Sequence, residues 1–468
     1  MQSNVNLVYL SKLCIIVALG GFLFGFDTAV ISGTISLVTD QFSLDAVSLG
    51  WFVSCALAGS IFGVITAGLL SDKYGRRNML IVAAILFFIS ALGCAISTDY
   101  NWLVISRFVG GVGVGFASIL SPMYISEIAP AHLRGRLVSL YQLAITVGIL
   151  IAYFSNSYLL NLHSTANLPE TLFFSDSWRM MLGAEVIPAL VFCVLLFFVP
   201  KSPRWLVQKG LHDEAKTVLQ KISNEENVDK QLTEIEGSIQ HESGTWSELF
   251  SSGVRMALLA GVLLSLFVQF SGINAIMYYG PEIFERAGFS LSDALGDQII
   301  IGVVNVLFTL LAIYKIDDWG RKKLLLVGSI GVISSLLVIA ALFIFDINQG
   351  GLLLGFLLFF IASFAFALGP VNWVILSEIF PNRIRARAMA TASMSVWIGT
   401  LLVSQLFPLM LDSLGTGGTF LAFALICTPL LIVTLKLLPE TKGKSLEEIE
   451  QLWLSRRKEN VSSKFRRS

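Results

Sequence analysis

The chain alternates long apolar runs with short polar ones, and most of the apolar runs are longer than a strand or core helix of a water-soluble domain requires. Stretches near 10–33, 49–71, 78–97, 102–125, 137–160 and 178–199 hold few charges, and after a polar interval they resume near 255–280, 297–315, 323–345, 351–376, 387–411 and 417–438. Crossing about 30 Å of hydrocarbon takes roughly 20 helical residues, so each run predicts one membrane-spanning helix. The pattern is six spans plus six. In the interval from Pro200 to Ser252, the segments SPRWLVQKG, HDEAKTVLQKIS and KQLTEIEGSI have helix-like patterning with Lys and Glu on their polar faces. They predict short amphipathic helices lying under the bundle and joining its halves. The interval is too short and too polar to bury an enzyme core. The tail from Pro439 predicts one more short helix and a basic, disordered end. The expected division is therefore a six-helix bundle over 1–199, a helical linker over 200–252, a second six-helix bundle over 253–438 and a cytoplasmic tail over 439–468.

Composition agrees with this pattern. The 468 residues are 55% hydrophobic and 14% charged with mean hydropathy +0.76, whereas soluble domains carry about a quarter charged residues. Net charge is zero and no basic stripe suggests nucleic acid, so the placement of charge matters more than its sum. Lys73, Arg76, Arg77, Arg134, Arg136, Arg321, Lys322, Lys323, Arg383, Arg385 and Arg387 follow spans 2, 4, 8 and 10. The opposite loops hold Asp40, Asp45, Asp99, Glu170, Asp176, Glu282, Glu285, Asp293, Asp346 and Asp412, with Arg286 as the exception. Positive charge gathers on the cytoplasmic side, so both termini are expected there. The run after Lys12 superficially resembles a signal peptide, but no cleavage site leads into a polar domain, and a retained first span is expected. Cys14, Cys55, Cys94, Cys193 and Cys427 sit in apolar runs without ligand spacing and are expected to pack as small residues.

Two motifs recur at corresponding places in the two halves. SEIAPAHLRGR (Ser126 to Arg136) ends span 4 and SEIFPNRIRAR (Ser377 to Arg387) ends span 10, while DKYGRR (Asp72 to Arg77) ends span 2 and DDWGRK (Asp317 to Lys322) follows span 8. Parallel six-span halves with a binding site at midplane are a transporter architecture. Asp72, Arg76, Glu127 and Arg134, with Asp317, Arg321, Glu378 and Arg385 in the second half, fit interlocking ion pairs of a cytoplasmic gate. Taken singly, each is equally a solvated loop charge, because exposed pairs contribute only about 0–1 kcal/mol.

One carboxylate, Asp27, interrupts span 1 within GGFLFGFDTAVISG. An ionisable group at membrane depth costs roughly 2.5–3.5 kcal/mol on insertion scales, so it normally faces a cavity and a partner, unless it lies at a helix end in water. At about 1.5 Å per residue, Asp27 lies roughly 25 Å above Leu10, and Arg107 about 7–8 Å below the outer end of span 4. The depths agree, which makes Arg107 the natural counter-ion. Such a pair is either a proton switch or a fixed structural ion pair.

The motifs GLLSDKYGRR (Gly68 to Arg77), RFVGGVGVG (Arg107 to Gly115), PMYISEIAPAHLRGRL (Pro122 to Leu137), QFSGINAIMYY (Gln269 to Tyr279), GPVNWVILSEIFP (Gly369 to Pro381) and PETKGKSLEEIE (Pro439 to Glu450) resemble those of the major facilitator superfamily. The specific resemblance is to its sugar porter branch, which includes bacterial proton-coupled xylose and glucose symporters and the animal GLUT carriers. It covers about residues 10 to 450, and span 4 with its loop is most similar to the bacterial D-xylose/proton symporters. The resemblance implies an all-α membrane protein of twelve helices in two pseudo-symmetric bundles, with Asp27 as the proton site and Arg107 as its partner. GLUT uniporters have an uncharged residue in place of the acid, so Asp27 points to coupling.

A sugar needs amides for its hydroxyls and rings for its apolar face. The resemblance puts Gln142, Gln269, Asn274, Tyr278, Asn305, Gly369, Trp373 and Trp397 around the sugar, with Phe24 closing the pocket. Each alone has a plain alternative, an amide bridging helices or a Trp anchoring an interface. Three family amides are replaced by Val268, Ile149 and Val396, and the usual Glu of the PESPR signature is Lys201. The altered amides leave the sugar open among pentoses and hexoses such as D-xylose or D-glucose. GGVGVG at Gly110 to Gly115 lies within a span with no strand before it, so close helix packing is expected over a dinucleotide loop. The four His residues have no metal spacing and no catalytic constellation stands out. The expected function is therefore monosaccharide import by proton symport, by a monomer without cofactor in a lipid bilayer, expected to be a bacterial inner membrane. A facilitative uniporter, a polyol or inositol symporter and a non-transporting sensor are the alternatives.

Overall fold

The computed structural model describes residues 6–130, 133–166, 169, 171–222, 225–240, 246–251, 254–347, 350–380, 384–442, 448, 449 and 453. Among the described residues there is no strand, and eleven helices are long and apolar enough to cross a membrane. The last of these, Arg387–Leu437, holds two spans, because Gly415 (φ 69°, ψ 171°) interrupts it. The apolar runs thus yield the twelve spans expected.

Spans 1 to 6 are α1 (Leu7–Val30), then after a short outer α2 (Ile35–Phe42), α3 (Ala46–Tyr74), α4 (Arg76–Ala95), α5 (Tyr100–Ile128), α6 (Arg134–Thr165), and the pair α7 (Ser177–Gly183) and α8 (Val186–Leu196). The polar interval forms α9 (Pro203–Gln208), α10 (His212–Ile222) and α11 (Glu225–Gln240). Span 7 is α12 (Arg255–Gln269) and α13 (Ile273–Arg286), span 8 is α14 (Leu291–Trp319) and span 9 is α15 (Arg321–Ile344). Span 10 is α16 (Gly350–Ser363) and α17 (Gly369–Glu378), and α18 (Arg385–Ile432) carries spans 11 and 12.

Sequence explains where these helices start and break. Asn6, Asp45 and Asp99 each precede a span, and their side-chain oxygens accept from the backbone N–H groups of Tyr9, Ser48 and Trp102. They satisfy donors that the first helical turn leaves free. Gly75 (φ 91°) and Gly320 (φ 83°) turn the chain between α3 and α4 and between α14 and α15, a left-handed conformation that favours glycine. They are the glycines of DKYGRR and DDWGRK, so the sequence repeat is also a backbone repeat. Gly272 (φ 83°) breaks span 7 between α12 and α13. A π-helical turn, Phe364–Leu368, interrupts span 10 just before Gly369.

Contacts divide the chain into two compact units, one of Met1–His241 with Met277–Val303, the other of Glu242–Ile276 with Val304–Ser468. In the first unit α3 packs on α5 backbone to backbone, since a Cβ on Gly111 would collide with the Ala56 carbonyl and one on Gly115 with that of Ser60. The GGVGVG stretch is thus a helix-packing face. Helices α1 and α6 approach in the same way, Gly25 lying against the Ile145 carbonyl and Gly148 against that of Phe22. Beneath them α10 buries Ala215, Val218, Leu219 and Ile222, and the Ile222 carbonyl accepts from Asn6 N–H at 2.9 Å. In the second unit, stacked Phe407 and Phe423 belong to a core of α12, α15 and α18 side chains, with Phe423 closing over Gly272.

Candidate functional site

The carboxylate of span 1 and the guanidinium of span 4 meet. Arg107 Nη1 donates to Asp27 Oδ1 at 2.9 Å, with side chains 3% and 5% exposed. Close packing of α3 on α5 sets the position of Arg107, and that of α1 on α6 sets the position of Asp27. The pair borders a cavity of about 10 Å³, near the volume one water needs, lined also by Phe24, Thr28, Ser60 and Tyr278. Arg107 Nε is buried without a hydrogen-bond partner among the described residues.

A second acid acts on this pair. Glu185, at the joint between α7 and α8, is 3% exposed, interacts electrostatically with both Asp27 and Arg107, and has one carboxyl oxygen without a hydrogen-bond partner among the described residues. Two carboxylates thus share the field of one guanidinium. Glu185 was accessible to the rule applied to Asp27, since it is an acid within an apolar run.

The expected sugar-binding residues fall in both units. In the first, Phe24 and Tyr278 line the cavity beside Asp27, and Gln142 lies half-buried on α6. In the second, Asn274 Nδ2 donates to Gln269 Oε1 at 2.8 Å across the Gly272 break and contacts Thr400 Oγ1 at 3.3 Å. Thr400 lies three residues past buried Trp397 on α18 and was not anticipated, because a hydroxyl in a span usually back-bonds within its own helix. It does so here, to Val396 O. Gly369 follows the π-helical turn, Trp373 on α17 is 42% exposed, and Asn305 is half-buried on α14. None of these three is hydrogen-bonded to Gln269 or Asn274 among the described residues. Val268, Ile149 and Val396 are all buried.

The charged motifs at the inner span ends form a network in each unit. In the first, Arg76 bridges Asp72 at 2.9 Å and Glu127 at 3.0 Å, and Ser202 Oγ donates to the other Glu127 oxygen. Arg134 is exposed and without an ion-pair partner among the described residues, so the network comprises Asp72, Arg76, Glu127 and Ser202. In the second, Arg321 pairs with Glu378 at 2.9 Å, and Thr441 Oγ1 donates to Glu378. The side chains of Asp317 and Arg385 lie outside the described residues. Pro200-Lys201-Ser202 and Pro439-Glu440-Thr441 thus form a third repeat, too short to notice in sequence.

Twelve apolar spans, broken helices beside amides and a buried acid–base pair define a polytopic membrane transporter. A sequence profile of the family described as "Sugar (and other) transporter" matches residues 13–453. The chain belongs to this family, the sugar porters of the major facilitator superfamily. It is 42% identical to the arabinose-proton symporter of Bacillus subtilis (strain 168) over 437 residues, 93% of each chain. It is 40% identical to the D-xylose-proton symporter of Escherichia coli (strain K12) over 97% of each. It is 38% identical to the glucose transporter GlcP of Staphylococcus epidermidis, covering 96% of this chain and 97% of that one. Among solved structures, the partially occluded inward-open xylose transporter XylE from E. coli superimposes with a TM-score of 0.83 at 38% identity, over 94% of this chain and 100% of that one.

Proposed function

We propose that the protein imports a monosaccharide by proton symport through alternating access, and that Asp27 is the carboxylate that carries the proton. The observation that carries this is the buried Asp27–Arg107 ion pair. Relatives named as arabinose-proton and D-xylose-proton symporters support the class of substrate and the coupling ion. A carboxylate facing a guanidinium stays ionised; when the pair separates, the loss of the opposite charge and the low dielectric both favour protonation. Proton uptake then neutralises Asp27 and releases α1 from α5. A uniporter has no use for an acid in this position, where its burial without function would only be costly.

In the second unit Gln269 and Asn274 offer amide groups to sugar hydroxyls, with Trp373 and Trp397 for the ring face and Asn305 and Gly369 as further candidates; in the first, Tyr278, Phe24 and Gln142 are the candidates. Apolar Val268, Ile149 and Val396 remove hydroxyl partners, so the preferred sugar or its pose differs from that of relatives which retain the amides. The Arg76 and Arg321 networks act as a cytoplasmic gate, a two-state element that ligand biases. The charge asymmetry of the loops supports cytoplasmic termini, and the resemblance to bacterial symporters supports an inner-membrane location.

The test is reconstitution of Asp27→Asn into proteoliposomes with D-xylose, L-arabinose and D-glucose. Uphill accumulation driven by a pH gradient is lost while counterflow exchange continues. Sugar still concentrated with proton influx by the variant would overturn the assignment. A uniporter differs in a simpler way, since its import leaves the pH of a weakly buffered suspension unchanged.

A further inference from the structure

Proline at position 281 creates a need within α13 that two other spans meet. An interior helical carbonyl accepts from the N–H four residues on, and Pro281 has none to offer to Met277. The Met277 carbonyl is buried and accepts from two side chains instead, Tyr153 Oη at 3.0 Å and Gln298 Nε2 at 3.2 Å. Tyr153 comes from α6 and Gln298 from α14, and both are fully buried. Gly280 makes the second contact possible, because a Cβ there would collide with the Gln298 amide. At Gly302 a Cβ would lie 3.0 Å from Tyr153, so α14 approaches α6 closely at the same level. A single carbonyl, freed by proline, thus fastens α13 to α6 and α14.

The residue after Met277 is Tyr278, which lines the cavity beside Asp27 and Arg107 and shares a hydrogen bond with Thr28, the neighbour of Asp27. Fixing the 277 carbonyl fixes the peptide from which the Tyr278 side chain springs. We propose that Tyr153 and Gln298 are positioning residues, holding the proline-freed Met277 carbonyl so that Tyr278 is set against span 1 at the Asp27–Arg107 cavity. The functional half of this statement rests on Asp27 being the proton-coupling carboxylate; the structural half does not. Neither donor lines the cavity beside the acid pair, and each acts through the backbone of α13.

The test uses the full-length protein and the proline itself. Tyr153→Phe and Gln298→Met each preserve size and remove one donor. Each is expected to raise amide hydrogen exchange in the segment 282–286 about threefold, and the double variant about tenfold, in line with one and two lost hydrogen bonds. Adding Pro281→Ala supplies an N–H at position 281, so exchange in the triple variant returns to within about twofold of Pro281→Ala alone. Unchanged exchange in the double variant, or no rescue by Pro281→Ala, overturns the latch. In proteoliposomes with D-xylose, L-arabinose and D-glucose, the double variant also moves the pH midpoint of proton-driven uptake by at least about half a unit, a threefold change in proton affinity. Pro281→Ala reverses that movement. Raised exchange with an unmoved pH midpoint overturns the positioning role of Tyr278 while leaving the latch. Asp27→Asn reports on the coupling assignment separately, since hydrogen exchange at 282–286 needs no proton-coupled transport.

Discussion

At Gly75, where α3 turns into α4, the ring of Trp205 lies 3.2 Å from the place a Cβ would take; at the equivalent Gly320 that place faces the carboxylate of Glu440 at 3.0 Å. Glu440 accepts from the backbone N–H groups of Arg321 and Lys322, both at 3.1 Å, and so caps the start of α15. The matching residue of the first half is Lys201, which instead approaches Glu214 at 3.6 Å and the Trp205 ring at 5.6 Å. Among the described residues, the start of α4 donates to no such carboxylate. It depends more on the Arg76–Glu127 pair, 5% and 6% exposed, whereas Arg321 and Glu378 are 11% and 23% exposed. One repeated motif is reinforced differently in its two copies: by burial of the ion pair in the first and by helix capping in the second.

Removing each element should therefore have a different cost, measurable by thermal unfolding of the purified protein in detergent. Arg76→Ala should be the most damaging, about 3–5 kcal/mol, because it leaves Glu127 buried without its cation. Arg321→Ala should cost less, about 1–2 kcal/mol, since Glu378 reaches water and keeps Thr441. Equal losses from these two variants would erase the contrast. Glu440→Gln keeps the shape and removes the charge facing the α15 N-terminus, for a loss of about 1 kcal/mol. The smallest effect is a gain: Lys201→Glu restores an acid near the start of α4 and should raise stability by about 0.5 kcal/mol. A fall in melting temperature would mean that Trp205 has taken over the place of the cap.

The spans, their breaks and the central ion pair could be read in the sequence because each follows from a strong local rule. Hydropathy over twenty residues is hard to mistake, Gly75 and Gly320 stand at the same step of a repeated motif, and Asp27 is conspicuous in an apolar run. Arg107 followed from depth alone. What escaped depends on direction rather than depth. Glu185 is as buried as Asp27, but only the packing of α7 and α8 brings it into the field of the same guanidinium. Thr400 joins Asn274, in the first turn of α13, because α18 packs against the end of α12 just before it, Gly399 lying against Gln269, and helix spacing does not tell which neighbour a hydroxyl meets. Ser202 and Thr441 hold equivalent glutamates, yet three residues of similarity do not stand out as a repeat. Lys201 was visible as a departure, but its meaning came from Glu440 in the other half. Arg134 shares the motif of Glu127 and stands apart from its network, because an exposed arginine side chain is not fixed by its place in sequence.

The close-packed glycine faces of the first unit have a mechanical consequence. Two helices joined backbone to backbone resist bending together, as a laminated beam does, and side chains between them cannot slide without collision. Helices α3 and α5 form one such beam and α1 and α6 another. Arg107 is mounted on the first and Asp27 on the second, so their ion pair is a pin driven across the joint. Drawing the pin leaves both laminations whole and frees only the angle between them. On the proposed role of Asp27, a proton arriving there would need to distort neither beam to change that angle.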